Sequence, residues 1–471
     1  MPVLLPTGAA TYQLVSEAAT GFDAEVVVTG EIASFLTPLQ LLSLLKERQY
    51  DLVIVSGMCT ASFVQVEQET GVPVFRGPRH AADLPLILSR LGSLELSRTL
   101  PADELIRLQR QEEAGRKLAG LERSAIPDLL IRRVKIGGGS RMKVLAEVMD
   151  APRQPDLAAV VTDLFSRGAD IVDLGFGFDA TPEDVRRCFS AVESIEGPLA
   201  VDSQDPALIR AALFRADLVL SLHEENIPLV GAEVASAGVA AVVVPRYQSL
   251  VENLALAEEA GIVSLIADPL LQPVGSGLVR SLREFPEEPG YPLFFGAGNV
   301  TELIDADSVG VQALLAGMAL EVHAALVFAS EHSDKTHGAV EEMRRATEMM
   351  MLVRCRPYPK DVGLDLLVIK EKRRRREPPL AYQQRIEVSP LAADLTYDPA
   401  GNFRIGIEDG QIVAVHNGTA FVGSHWEEVF AEIQAEGLVS LLDHAAYLGK
   451  ELYKAELALS FGRSFEQDGP F

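Results

Sequence analysis

The chain has 471 residues, a formal net charge of −25 and 48% hydrophobic content, enough for about two to four domains with sizeable cores. Such acidity argues against a nucleic-acid partner, since phosphate neutralisation needs clustered lysine and arginine. No charge-free apolar run reaches the roughly 18–20 residues that span a bilayer.

The start, Met-Pro-Val-Leu-Leu-Pro-Thr-Gly, lacks the basic residues and continuous apolar stretch of a signal peptide. The three cysteines (Cys59, Cys188, Cys355) are far apart and in no metal-like spacing. Both features predict a cytoplasmic protein with reduced thiols.

Residues 1–93 read as a small parallel α/β domain. Val3–Leu5, Ala24–Val28, Leu52–Val55 and Val72–Phe75 have strand character, and Leu36–Lys46 is helical in period. Residues 94–130 form a helical connector: Leu94–Arg123 is charged and helical, interrupted by Pro101. Ile131–Lys143, with Gly137-Gly138-Gly139, reads as a ribbon or lid at the entrance to the next domain.

That domain, 131–369, carries eight strand candidates in order: Val144–Val148, Ile171–Gly175, Leu199–Asp202, Leu218–Leu222, Ala241–Val244, Ile262–Ala267, Leu293–Gly296 and Leu326–Ala329. Amphipathic segments such as Pro182–Ser194, Asp205–Arg215 and Leu250–Ala260 separate them. Eight β/α units of this length fit a (β/α)8 TIM barrel; a doubly wound sheet is the alternative, because periodicity does not report closure. Residues 370–471 read as an α+β domain. It opens with the basic run Lys370–Arg376, a solvated boundary or a phosphate-binding patch. Strand candidates Arg385–Val388, Leu395–Asp398, Asn402–Ile407 and Gln411–His416 follow, then a helical stretch, Trp426–Phe461.

Polar residues at the C-terminal ends of successive barrel strands are how this architecture builds a site. Asp173 ends Ile-Val-Asp, Asp202 ends Ala-Val-Asp-Ser and Asp268 opens Asp-Pro-Leu. A carboxylate there accepts two adjacent N–H bonds, as an aminopyrimidine edge offers them; the plainer role is to cap the following helix. Asn226 follows the fourth strand and Asn299, between Gly298 and Val300, the seventh. Each amide can orient a ring or stabilise a turn. Lys335, in Ser330-Glu-His-Ser-Asp-Lys-Thr-His337, can meet a phosphate, whereas His332, Asp334 and His337 match no strong metal signature. Arg79 and His80 sit in a dense charged cluster suited to an anion or an interdomain contact. Neither Gly175-Phe-Gly177 nor Gly137–Gly139 opens into Gly-x-Gly-x-x-Gly, so a dinucleotide site is not supported.

At these residues the chain resembles the pterin-binding barrel superfamily of dihydropteroate synthases and methyltetrahydrofolate–corrinoid methyltransferases. Ala169-Asp-Ile-Val-Asp173-Leu-Gly and Val201-Asp202-Ser203, with Pro206–Leu213, resemble a synthase's second and third strands. Asp268-Pro-Leu and Gly298-Asn299-Val-Thr resemble the methyltransferase branch. With its flanking domains, Lys335-Thr-His-Gly and His444–Glu456, the whole chain most resembles the dihydropteroate synthase-related proteins of methanogens and methylotrophs.

The resemblance implies a pterin ligand (tetrahydromethanopterin or a dihydropterin precursor) held by Asp202, Asn226 and Asp268, with Asp173 supporting the floor. Asn299 and Lys335 would serve catalysis, and Arg79 and His80 would help bind substrate. Magnesium is an optional companion of a diphosphate, and a homodimer is the default assembly.

Two departures stand out. The synthase Asn-Val-Thr-Pro-Asp-Ser-Phe-like loop is replaced by Glu147-Val-Met-Asp150-Ala-Pro, and the Ser-Arg-Lys after strand seven by Gly298-Asn299-Val. Three functions follow as expectations: a synthase-like transferase in tetrahydromethanopterin biosynthesis, a methyl-tetrahydropterin-dependent methyltransferase, and a non-catalytic pterin-binding protein.

Overall fold

The computed structural model describes residues 2–47, 49–287, 289–354, 359–360, 362–369, 383–387 and 397–469. Backbone contacts divide the chain into two compact units, one of residues 1–367 and 371–376, the other of 368–370 and 377–471.

The first unit begins with a four-stranded parallel sheet of β1 (Val3–Gly8), β2 (Ala24–Gly30), β3 (Leu52–Val55) and β4 (Val74–Arg76), in the order β2-β1-β3-β4. Alternation sorts its side chains onto two faces. Leu4, Val53 and Val55 pack with Leu41, Leu45 and Val66 on one face. Val3, Leu5, Leu52 and Ile54 pack with Leu84, Leu88 and Val15 on the other. The helix expected over Leu36–Lys46 is Pro38–Glu47, and the connector helix is Ala102–Ser124. Residues 94–101 are not helical: Pro101 lacks the N–H a helix interior needs and instead stands immediately before the first turn.

A short antiparallel hairpin follows, β5 (Leu129–Ile131) and β6 (Val134–Ile136). The ribbon expected at a lid position is therefore a floor. Ile131 and Ile136 pack into the barrel interior with Leu145, Ile171, Ala200 and Leu218. Arg132 bonds Asp217, just before the fourth barrel strand, at 2.7 Å.

The barrel strands are β7 (Lys143–Val148), β8 (Ile171–Gly175), β9 (Leu199–Asp202), β10 (Leu218–Leu222), β11 (Ala240–Val243), β12 (Leu265–Ala267), β13 (Leu293–Phe295) and β14 (Ala324–Ala329). They close in sequence order, β14 pairing back onto β7, with every pairing parallel. The chain thus forms a (β/α)8 TIM barrel, and the doubly wound alternative falls to closure. Outward-facing Val144, Val172, Val201 and Val219 pack beneath the surrounding helices with Val161, Phe189 and Ile209. A fully buried side chain of that size contributes about 1.5–3 kcal/mol. At the N-terminal end, Nη2 of buried Arg141 bonds both oxygens of Asp170, at 2.6 and 2.7 Å, and its Nη1 donates to Met142 O and Thr347 Oγ1.

The second unit contains an antiparallel sheet, β15 (Arg404–Glu408), β16 (Gln411–His416) and β17 (Thr419–Gly423). Arg385–Glu387 is not a strand, and Tyr397 and Asp398 are not either. Val388, Leu395, Thr396 and the basic run Lys370–Arg376 lie outside the described residues. The third strand, Thr419–Gly423, escapes the pattern because four of its five residues carry small or polar side chains or sit exposed on an edge. The terminal helical stretch is two helices, Trp426–Ala435 and Leu442–Ser460, separated where Gly437 takes φ 67°. Their inner faces meet the sheet through Val429, Ile433, Leu448 and Leu452. Buried Asp398 ties down the second helix: it accepts from the N–H groups of Ser440 and Leu441, the Ser440 hydroxyl and His444 Nδ1. No helix among the described residues is long and apolar enough to cross a membrane.

Candidate functional site

Side chains two residues apart on a strand share a face. Leu145, Ile171, Ala200 and Ile266 line the barrel interior, so Glu147, Asp173, Asp202 and Asp268 point the same way, one layer nearer the C-terminal mouth. In register, Glu147 stands opposite Asp173, and Asp202 opposite Gly175. Four carboxyl groups from β7, β8, β9 and the end of β12 therefore share one end of the barrel.

Helix capping does not account for them. The helix after β9 is capped by Asp205, whose Oδ1 accepts from Ala207 N at 2.7 Å, and the helix after β8 by Thr181 with Asp184 in a capping box. Asp268 accepts one backbone bond, from Leu270 N at 2.8 Å. Asp173 is fully buried, and neither of its oxygens has a hydrogen-bond partner.

Burial raises the pKa of all four acids, and the charges of neighbouring carboxylates of the cluster add to the rise at Asp173 and Asp202. Burial drives the Asp173 carboxyl well above its ordinary range, with further pushes from Asp202 and Glu147. Asp202 is pushed up to about 7 by burial and by the charge of Glu147. Asp268 also rises to about 7, through burial only partly offset by the Leu270 N–H. Glu147 is raised by burial against a 3.0 Å hydrogen bond from Ser330 Oγ. Asp202 and Asp268 exchange protons near neutrality, and the cluster is short of hydrogen-bond donors. A ligand rich in N–H groups supplies what it lacks.

The other expected residues are placed differently. Asn226 is buried with its amide engaged inside the chain: Oδ1 accepts from His223 N at 2.9 Å, and Nδ2 donates to Ser221 O at 3.0 Å and Gln204 O at 3.3 Å. It shapes the loop after β10. Asn299 is exposed on the short helix Ala297–Glu302 that follows β13. Lys335 Nζ clamps the end of that helix, donating to Glu302 O and Ile304 O, both at 2.8 Å, and to Asp305 at 3.2 Å.

Arg79 lies in the N-terminal sheet's loops and pairs with Asp103 and Glu104 of the connector helix. His80 adjoins it. The structure thus brings Asp173, Asp202 and Asp268 together and leaves Arg79 and His80 in another part of the first unit. At the mouth, Arg246 reaches His223 Nε2 at 3.2 Å and Glu225 at 2.9 Å.

Glu147 was legible only as a departure from a synthase loop. Its two-residue offset from Leu145, matching the offset from Ile171 to Asp173, was the available signal. Among the described residues, no group of three or more His, Cys, Asp or Glu is arranged to hold a metal ion.

Comparison with known proteins gives three findings. A family model described as PterinBD-DUF4346 matches residues 397–468, within the second unit. An uncharacterized protein of Methanocaldococcus jannaschii is 31% identical over 518 aligned positions, covering 99% of this chain and 98% of its own length. Among solved structures, dihydropteroate synthase from Thermus thermophilus in complex with 6HMPPP aligns with 44% of this chain and 92% of its own, at 24% identity and TM-score 0.35. Yersinia pestis dihydropteroate synthase with a pterine-sulfa conjugate aligns with 48% and 99%, at 19% identity and TM-score 0.39.

Proposed function

Because the chain belongs to the dihydropteroate synthase-related family that includes the Methanocaldococcus protein, we propose that its barrel mouth binds a pterin. There it acts as a synthase-like transferase in tetrahydromethanopterin biosynthesis or related one-carbon metabolism. The observation that carries this reading is Asp173, a fully buried carboxyl with both oxygens unpartnered. Leaving such a group without donors costs several kcal/mol, and the adjacent N–H groups of an aminopyrimidine ring would remove that cost. Asp202, on the adjacent strand β9, and Asp268, across the mouth at the end of β12, would hold further ring atoms.

In the synthase reaction an arylamine nitrogen forms a C–N bond to the exocyclic methylene of a hydroxymethyl-dihydropterin diphosphate as the C–O bond breaks. Diphosphate departs with the bonding pair, and the amine loses one proton. A carboxylate of the Glu147–Asp202 pair, with its raised affinity for protons, suits the acceptor of that proton. Lys335 would screen the departing charge only by exchanging its bonds to Glu302 and Ile304 for the phosphate.

That engagement of Lys335, and the acidity of the mouth, support a second reading: methyl transfer from a methylated tetrahydropterin. Asp202 or Asp268, each near 7, would protonate the reacting ring nitrogen, making the methyl group a better electrophile. Asn299 would hydrogen-bond that nitrogen in either state.

Calorimetric titration of the full chain with the dihydropterin diphosphate and with methyl-tetrahydromethanopterin, in wild type and Asp173→Asn, tests both. Preference for the diphosphate with product formation supports the synthase, preference for the methylated pterin supports methyl transfer, and tight binding without turnover supports a binding protein. Affinity for neither, or affinity unchanged by Asp173→Asn, refutes the pterin site. The expected loss in the variant is about 10- to 100-fold, the worth of a charge-assisted bond pair.

A further inference from the structure

The N-terminal sheet has a binding crevice of its own. In the order β2-β1-β3-β4 the adjacent strands β1 and β3 send their chains to opposite sides. The helix Tyr12–Ala18 after β1 packs on the face of Leu5 and Ile54 through Val15, whereas the helix Val64–Thr70 after β3 packs on the face of Leu4 and Val55 through Val66. In an open parallel sheet, such a reversal parts the loops beyond the strand ends and leaves a crevice there, where ligands bind.

A cavity of about 90 Å3 occupies that place, walled by Leu5, Ala33, Ile54, Val55 and Leu84 and edged by Thr7 and Ser56. Strand β1 ends in Thr7-Gly8, and the similar pair Ser56-Gly57 follows directly after β3. A Cβ on Gly8 would lie 2.4 Å from Glu31 O, and one on Gly57 2.6 Å from Arg79 N. The glycines thus let the loops pack closely around the opening.

The polar groups at the edge define the ligand. Thr11 Oγ1 donates to Gly8 O at 3.4 Å and lies 2.9 Å from Thr7 Oγ1. Thr7 is then the donor within the pair, and its lone pairs are left as an acceptor. Ser56 Oγ accepts from Met58 N at 3.3 Å, which leaves its own O–H as a donor. Arg79, at the same edge, is neutralised by Asp103 and Glu104, so an anion gains nothing there. We propose that this crevice binds a small, uncharged, planar nitrogen heterocycle of nucleobase size, one ring atom accepting from Ser56 and one N–H donating to Thr7, between apolar walls.

The test is saturation-transfer NMR and titration of the full chain with adenine, hypoxanthine and uracil. Four proteins would be compared: wild type, Thr7→Val, the cavity-filling Ala33→Leu, and Asp173→Asn as the barrel control. At least one base should bind with a dissociation constant on the order of 0.1–1 mM, weakened about fivefold or more by Thr7→Val and by Ala33→Leu, and unchanged by Asp173→Asn. Thermal melts of Thr7→Val, nearly isosteric, would check that folding is retained. Saturation transfer from none of the three bases overturns the proposal. So does binding that survives Ala33→Leu, or binding that is lost in Asp173→Asn instead.

Discussion

Replacing Asp268 by asparagine should stabilise the protein, and increasingly so as pH rises. Asp268 is 6% exposed, and burial moves its carboxyl from 3.8 to about 7. Below the unfolded value both states are protonated and the residue contributes nothing to the pH dependence. Above it the unfolded chain ionises while the folded one keeps its proton. The unfolded state then binds fewer protons, and stability falls by about 1.4 kcal/mol per pH unit until the folded value is passed. The full loss is about 4 kcal/mol, of which about 3 kcal/mol develops between pH 5 and 7. Asparagine keeps the oxygen that accepts from Leu270 N and does not ionise. Urea unfolding at pH 5 and pH 8 should therefore show the advantage of Asp268→Asn over wild type growing by about 3 kcal/mol. An equal difference at both pH values, or a variant less stable at pH 8, would refute the burial argument. On the proposed pterin reading, the same variant should bind the ligand worse, because the buried acid that costs stability would then be one that meets the ring.

Other perturbations probe the scaffold. Lys335→Met should cost about 1–3 kcal/mol in urea unfolding, since it strands two carbonyls at and just beyond the end of the helix Ala297–Glu302. Arg141→Met should cost about 3–5 kcal/mol by the same assay, because it leaves Asp170 buried without its nearest ion-pair partner; the double variant with Asp170→Asn should recover much of that loss. Asp398→Ala should loosen the start of the helix Leu442–Ser460, read as faster amide exchange at Ser440, Leu441 and the first turn, whose N–H anchors it removes.

The eight barrel strands were readable in order because each is a short apolar run buried on both faces, bounded by turn residues. Their ends shifted by a residue or a few, most at Leu265–Ala267, where Ile262–Ser264 is apolar enough to join the run but lies before the ladder. The acids at Asp173, Asp202 and Asp268 were likewise readable from their places at strand ends. Their common inward direction is a period-two consequence already contained in the sequence once the neighbouring apolar residues are known to be interior. That condition is tertiary. Closure of β14 onto β7 makes one face of each strand an interior, and so turns Glu147 from a loop departure into a fourth carboxyl of the mouth.

Tertiary structure also decided the uses of Asn226 and Lys335. Their sequence positions allowed a ligand role, but an amide or ammonium bonds whatever acceptors the fold brings near. Here those are Gln204 O and Ser221 O for one, Glu302 O and Ile304 O for the other. Local order along the chain determined which strands and acids exist; long-range packing determined which of their polar atoms remained without a partner, and an unpartnered buried atom is what a ligand can answer.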